Sequence, residues 1–230
     1  MAQNQLRIAS YNIRKARGLD QRRRPQRILE VVNALESDVV LLQEADKRLG
    51  ARPPAIERNL IARETDFDLV EVSRNGLSLG WHGNAVLVRK GIKVDAVYAI
   101  DLPGLEPRGA VQVNLDIAGG MSVVGAHLGL MRRDRRAQLD KLCRTTRDSA
   151  RVVIAGDFNE WSNEVGLEPL AKRFSVTAPG KSFHARHPIA GLDRFALSES
   201  VTLQDAGVSQ DALARRASDH LPIWFDISVV

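Results

Sequence analysis

Apolar residues recur along the chain in short blocks with two spacings. Leu6 to Tyr11 alternates apolar with polar or small residues, a period of two that predicts a strand ending at Asn12. A polar stretch from Arg14 to Arg24 follows. Pro25 then stands where a first helical turn accepts it, and Ile28, Val31, Val32 and Leu35 follow the i, i+3, i+4, i+7 pattern of one buried helix face. Asp38 to Glu44 is a buried strand with a carboxylate at its end. Strand, helix, strand implies a parallel right-handed crossover, which brings Asn12 and Glu44 to one sheet edge.

The middle is less regular. Pro53 to Glu64 is read as a helix, and Asn84–Arg89 and Ala110–Leu115 as strands joined through glycine-containing turns, hence as antiparallel neighbours. Met121–Ala126 is a strand delivering His127. A helix with Leu139, Leu142, Cys143 and Thr146 on one face leads into the strand Val152–Ala155. Gly156 then lets the backbone turn where Asp157 and Asn159 appear, two apart and expected on one side, with Phe158 packing the other way. The second crossover sets His127 beside Asp157. Leu192–Leu197 reads as a short strand with Asp193 near its start, and Ile223–Val229 as a last strand entered through Asp219 and His220. Strands outnumber helices, which predicts an α/β fold of packed sheets covered by helices.

The chain has 230 residues, 44% of them hydrophobic, without a low-complexity linker or internal repeat, so residues 1–230 are read as one domain. The start, Met1 to Gln5, is polar and no run of eighteen apolar residues occurs; a cytoplasmic monomer without a transmembrane segment is the expectation. The single cysteine, Cys143, forms no internal disulfide and is read as a core thiol on a helix. The net charge of +5 is concentrated in Arg22–Arg24, Arg132–Arg136 and Arg215–Arg216, patches that attract polyanions such as nucleic acid or an anionic phospholipid surface.

Asn12, Glu44, His127, Asp157, Asn159, Asp193, Asp219 and His220 all fall at predicted strand ends. Singly, each is an ordinary turn or strand-end residue. Together, carboxylates and amide oxygens are hard ligands suited to Mg²⁺, with Mn²⁺ as a substitute, whereas zinc favours clustered Cys and His. Phosphate-ester hydrolysis needs charge neutralisation, an activated water and help for the leaving oxygen, and this set supplies all three.

The segments Ile8–Asn12, Leu41–Glu44, Gly156–Asn159, Leu192–Arg194 and Ser218–Pro222 resemble, in order, the motifs of the endonuclease/exonuclease/phosphatase superfamily with its DNase I-like fold. The resemblance spans Asn12 to His220. It implies a four-layer α/β sandwich of two packed, mainly antiparallel β-sheets flanked by helices, with the active site at their common edge. It also implies that Glu44 holds the metal, with Asn12 and Asp219 completing its shell. Asp157 would activate the attacking water, and Asn159 would position that water and a phosphate oxygen. His220, oriented by Asp193, would stabilise the transition state, and His127 would sit near the phosphate or leaving oxygen. Arg14 and Arg108 are further candidates for phosphate contacts.

Two departures bear on substrate. Leu77 to Lys90 lacks the carboxylate with which DNase I-like nucleases pair the residue at the His127 position, and Ala190 stands where abasic-site repair enzymes carry an aromatic. The segment Ser182–Pro188, with His184 and His187, resembles instead compact bacterial members acting on phospholipid head groups and small phosphoesters. The sequence therefore points to a Mg²⁺-dependent phosphoesterase acting on a phosphate ester, more a diesterase than a monoesterase. A DNA or RNA nuclease is the alternative, and a non-catalytic polyanion-binding module the second.

Overall fold

The structure, a computed structural model, describes residues 5–48, 50–117 and 119–229. The polar start of the chain, residues 1–4, lies outside the described residues. Among the described residues no helix is long and apolar enough to cross a membrane.

Among the described residues twelve strands form two six-stranded sheets. In the first, β1 (Gln5–Asn12) lies between β2 (Val39–Gln43) and the C-terminal β12 (Ile223–Val229). β4 (Ala85–Arg89) and β3 (Phe67–Leu69) extend it beyond β2, and β11 (Val201–Val208) closes the other side, giving the order β11-β12-β1-β2-β4-β3. The second contains β5 (Val94–Leu102), β6 (Arg108–Leu115), β7 (Met121–His127), β8 (Val152–Asp157), β10 (Asp193–Ser198) and β9 (Phe174–Thr177), in the order β5-β6-β7-β8-β10-β9. Each sheet has one parallel pair at its centre and antiparallel pairs elsewhere. The parallel pairs are β1 with β2, joined through α1 (Pro25–Ala34), and β7 with β8, joined through α3 (Arg132–Thr145). The two crossovers read from the sequence are therefore the cores of the two sheets.

Burial explains the layers. Because strand side chains alternate, one set of residues from each sheet faces the other sheet. Ile8, Leu41, Val86, Phe225 and Ile227 meet Val111, Val113, Val123, Val153 and Phe195 in the central core. Phe195 stacks on Phe225 with ring centroids 4.2 Å apart, an arrangement worth about 0.5–1.5 kcal/mol beyond its burial. The alternate residues Ala9, Tyr11, Val40 and Leu42 take the apolar stripe of α1, and Val124, Ala126, Val152 and Ile154 take Leu139 and Leu142 of α3. The four-layer sandwich follows from these three apolar interfaces.

Three expectations are corrected. β4 and β6 are not neighbours: β4 pairs with β2 and β3 in the first sheet and β6 with β5 and β7 in the second, because the unread strand β5 lies between them in sequence. The helix read over Pro53–Glu64 begins only at Arg58, as α2 (Arg58–Glu64). Pro53 and Pro54 have no N–H to give a helix, and their segment instead holds the loop after Glu44, through Lys47 N–H to the Pro53 carbonyl (2.9 Å) and Ala55 N–H to the Ala45 carbonyl (2.8 Å). Cys143 is half-buried rather than core, its thiol against the Pro169 carbonyl of the short helix α4 (Glu168–Ala171).

Candidate active site

Strand ends from both sheets meet at one edge. Register places Asn12 opposite Gln43, the residue before Glu44; His127 opposite Asp157; and Asp193 opposite Asp157. The local backbone is specialised there. Gly156 has φ +153°, and a Cβ on it would stand 1.8 Å from the Ala126 carbonyl oxygen, so only glycine lets β8 lie this close to β7 just before Asp157. Glu44 and Asn159, each just past a strand, are left-handed (φ +53° and +52°), as are Arg14, Lys15 and Ala16 in succession. Non-glycine residues in this region carry strain of about 1–3 kcal/mol each and concentrate where geometry serves function. The left-handed turn is fixed on the neighbouring strand by Lys15 N–H to the Glu44 carbonyl (3.0 Å).

Asp157 is the hub. Its Oδ2 accepts from Asn12 Nδ2 (3.0 Å) and faces His127 Nε2 (3.4 Å) and His220 Nε2 (3.6 Å), while Oδ1 accepts the Asn159 backbone N–H (3.0 Å). His220 Nδ1 meets Asp193 Oδ2 at 2.8 Å, and Ser182 Oγ donates to the same oxygen at 2.5 Å. Phe183 packs on the His220 ring, centroids 4.9 Å apart. A chain Ser182–Asp193–His220–Asp157 results, with every member buried. The different partner that the missing carboxylate leaves to His127 is Asp157.

Burial lowers the basicity of His220, but the charges of Asp193 and Asp157 outweigh it and hold the imidazole well above its ordinary value. Burial raises the Asp157 carboxyl, and the Asp193 charge adds to this against the opposing His220. His127 goes the other way: burial first, then the charges of Arg108, His220 and Arg48, keep it neutral well below the usual imidazole range. The two imidazoles beside one carboxylate are thus a cation and a neutral group, a division of labour typical of acid–base sites.

The remaining sequence candidates divide. Arg108 lines a cavity of about 190 Å³ together with Glu44 and His127. Arg14 is outside that lining, its Nε 3.1 Å from Asp219 Oδ2. Asn159, being left-handed, escapes the period-two rule, and its Nδ2 donates to the Leu128 carbonyl (2.9 Å) instead of converging with the Asp157 side chain. His184 and His187 lie on the Ser182–Pro188 loop and are absent from the cavity lining. Ala190 bridges to Phe183, so the aromatic beside His220 comes from Phe183.

Sequence reasoning missed most of the cavity's cations. Lys15, Lys47, Arg48 and Arg52 join Arg108 there against Glu44, Asp46 and Glu106. Lys15 Nζ pairs with Glu44 Oε2, Arg48 reaches Glu44 Oε1 at 3.2 Å, and Arg108 holds Glu106 at 2.7 Å. Among the described residues Lys47 and Arg52 have no carboxylate within ion-pair distance; Arg52 instead contacts His82 Nδ1 at 3.0 Å. Only proximity to motif residues could have flagged Lys15 and Arg48, at three and four positions from Asn12 and Glu44 respectively.

The donor chemistry fits a hard divalent cation. Burial raises the Glu44 carboxyl, but Lys15 and then Arg48 and His220 outweigh it and keep Glu44 ionised, so this position already holds positive charge. Asn12 and Asp219 offer further oxygens, Asn12 Oδ1 accepting the Arg14 N–H (3.1 Å) and Asp219 Oδ2 facing Arg14 Nε (3.1 Å). Ligand atoms of Asp157, Asp193 and His220 also lie within 4.8 Å of one another. Hydrogen bonding accounts for the Asp193 Oδ2 that faces His220, which serves two donors, while Asp193 Oδ1 is buried without a hydrogen-bond partner.

The sequence profile of the Endonuclease/Exonuclease/phosphatase family matches residues 9–220, from β1 to His220. The chain belongs to this family. It is similar to the uncharacterized protein YbhP of Escherichia coli K12, with 26% identity covering 86% of each chain. Two of the solved structures that share its fold illustrate the range. The D. rerio TDP2 complexed with a single-strand DNA product has a TM-score of 0.73 at 20% identity, covering 98% of this chain and 99% of that one. The Bacteroides thetaiotaomicron mannosyl-6-phosphatase Bt3783 has a TM-score of 0.73 at 17% identity, covering 96% and 99%. At such identity the likeness speaks to fold.

Proposed function

We propose that this protein is a divalent-metal-dependent phosphodiesterase that cleaves a P–O bond by direct attack of water. The observation that carries the reading is the buried Asp193–His220–Asp157 chain ending beside a cationic cavity. Asp157, raised by burial, takes the proton of the attacking water as the new P–O bond forms. His220, held protonated by Asp193, meets the charge that develops on the phosphoryl oxygens, a role worth several kcal/mol in a site that excludes water. His127, neutral, stands by the leaving oxygen, which finally receives the proton that Asp157 gained. Asn12 fixes Asp157 through its amide, and Asn159 does so through its backbone N–H. Glu44, Asn12 and Asp219 would hold Mg²⁺ or Mn²⁺, which when bound supplies Lewis-acid neutralisation of a phosphoryl oxygen. Arg108 and Arg52 would hold the substrate phosphate, and Arg14 would position Asp219.

A small phosphoester or a phospholipid head group suits the site better than nucleic acid. The cavity is small and, His82 and His127 apart, offers no aromatic platform on which a base stacks. The arginine-rich helix α3, the main support for a nuclease, is largely neutralised: Arg132 and Arg135 hold Glu160, Arg136 holds Glu168 and Arg144 holds Asp140. The similarity to a DNA-product complex keeps nuclease activity as the second reading.

The test is a screen of purified protein with Mg²⁺ or Mn²⁺ against a bis-aryl phosphodiester, glycerophosphodiesters, phospholipids, plasmid DNA and RNA. Turnover of the small diesters that is insensitive to added salt is expected. Activity confined to nucleic acid and falling steeply with salt would establish the nuclease instead. No turnover of any of them would leave a binding module.

A further inference from the structure

The loops around the site differ from the rest of the surface in what they expose. Of the nine large apolar side chains most open to solvent among the described residues, six are Leu105, Leu130, Met131, Trp161, Val165 and Ile189. They occupy four loops, β5–β6, β7–α3, β8–α4 and β9–β10. Strand directions put all four at one place: β7 and β8 are parallel and end there, while β6 and β10, antiparallel to them, begin there. It is the edge that carries His127, Asp157 and Asp193.

The rim is built rather than frayed. Glu106 accepts the Leu130 N–H (2.8 Å) and Asp134 accepts the Leu105 N–H (3.0 Å), tying the first two loops together. Arg132 on Glu160 ties the second to the third. Trp161 packs edge-on to Phe183, centroids 6.2 Å apart, and shares a surface depression with Ile189. Leu130, Trp161 and Ile189 nevertheless remain 67%, 59% and 63% exposed.

Positive charge surrounds these side chains. Arg133, Lys181 and Arg186 are exposed on the same segments and have no carboxylate partner among the described residues. On the first sheet the runs Arg22–Arg24 and Arg215–Arg216, far apart in sequence, converge through the Leu19 N–H to the Arg216 carbonyl (3.0 Å). They lie on the segments that follow β1 and precede β12, the second a short helical turn (Ala214–Ala217), hence at the same edge.

From this pairing of apolar loop tips with unneutralised cations, we infer that the active-site rim docks on an anionic phospholipid bilayer. Leu, Met, Ile and Trp side chains on loop tips enter the head-group boundary while arginine and lysine pair with lipid phosphates. The apolar groups are spread over four loop tips rather than collected along one groove, and Arg133, Lys181 and Arg186 stand on the segments of two of them, which suits a planar surface better than a peptide helix or strand. Docking opens the catalytic edge toward the membrane, and it stands independently of which ester bond the site hydrolyses.

The test is co-sedimentation of the full chain with vesicles of phosphatidylglycerol and of phosphatidylcholine, alongside wild-type activity on a soluble bis-aryl phosphodiester. Binding to phosphatidylglycerol at least about tenfold tighter than to phosphatidylcholine, and weakened by salt, is expected. Leu130→Glu with Ile189→Glu should lower that binding about tenfold or more, whereas Leu203→Glu, an exposed apolar position toward the far end of β11, should leave it unchanged. Circular dichroism and the soluble-substrate rate check that the double variant is folded. Equal binding of wild type to both vesicles, loss in Leu203→Glu equal to that in the double variant, or self-association that buries the rim would overturn the inference. So would binding to single-stranded DNA with none to either vesicle. Vesicle binding with no turnover of the soluble diester would sustain the docking and count against the phosphodiesterase.

Discussion

Asp193→Asn removes one charge from the buried chain while keeping its shape. In the native protein the Asp193 carboxylate faces His220 Nδ1 at 2.8 Å and is the largest of the contributions holding the imidazolium against the cost of burial. A hydrogen bond to a charged group contributes about 1.5–3 kcal/mol, equivalent to about 10–150-fold in the equilibrium for holding the proton. The protonated form of His220 is the one proposed to meet the transition state; with its pKa of about 10 lowered by that factor it stays mostly protonated at pH 7, so kcat should change little at neutral pH and fall by about tenfold or more near pH 10, with KM changed little. The sign with pH follows. The native pKa is raised above the free value, so stabilisation by this pair is complete below about 6.5 and is lost as pH rises through the elevated value. In Asp193→Asn that loss, and the alkaline decline of kcat, should move down toward the ordinary imidazole range. Imidazole ¹⁵N NMR titration together with kcat against pH measures both. An unchanged His220 titration, or an alkaline decline of kcat that stays where wild type has it, would refute this role for Asp193.

Other expectations are simpler. Gly156→Ala places a Cβ 1.8 Å from the Ala126 carbonyl oxygen, so β7 and β8 must separate; a loss of about 3 kcal/mol or more, seen as a drop in Tm by differential scanning calorimetry, is expected, and a native Tm would show that the strands have room. Arg52→Ala removes a cavity cation with no carboxylate partner among the described residues, so KM should rise about tenfold with kcat nearly constant and Tm unchanged; a kcat loss at constant KM would place Arg52 elsewhere in the cycle. Glu44→Gln should weaken Mn²⁺ binding followed by electron paramagnetic resonance by about tenfold or more, and an unaltered isotherm would remove Glu44 from the metal site.

The interior of each sheet was legible because fully buried strands carry unmistakable apolar runs. Val39–Gln43 and Met121–His127 are buried along their whole length, and the two crossovers that pair them with β1 and β8 put Asn12 with Glu44 and His127 with Asp157. The four strands that escaped notice, β3, β5, β9 and β11, are the four edge strands of the two sheets. An edge strand has a neighbour on only one side and buries less; β11 is mostly exposed, polar at Thr202, Gln204 and Asp205, and irregular between Leu203 and Asp205, so its sequence lacks the period-two signal. Missing β5 also produced the false pairing of β4 with β6.

The site divides along a similar line. Residues at strand ends were found because a polar residue after an apolar run stands out, and the hub formed by Asn12, His127, Asp157, Asp193 and His220 came from these. Ser182, Arg52 and Lys15 were not found, because they lie on loops whose path is set by tertiary contacts such as Pro53 with Lys47 and Ser182 with Ala190. Backbone conformation was equally silent: nothing in the order Asp157-Phe158-Asn159 announces that Asn159 turns left-handed and sends its amide to Leu128.

The most direct measurement is turnover of a bis-aryl phosphodiester, with Mg²⁺ or Mn²⁺ present, by wild type, Asp157→Asn and His220→Ala, each shown to be folded by its circular dichroism and Tm. Both variants should lose about 100-fold or more in kcat, the scale for removing a general base or a charge-stabilising group. Wild-type rates in either folded variant would contradict the assignment of water activation and phosphoryl stabilisation to this buried chain.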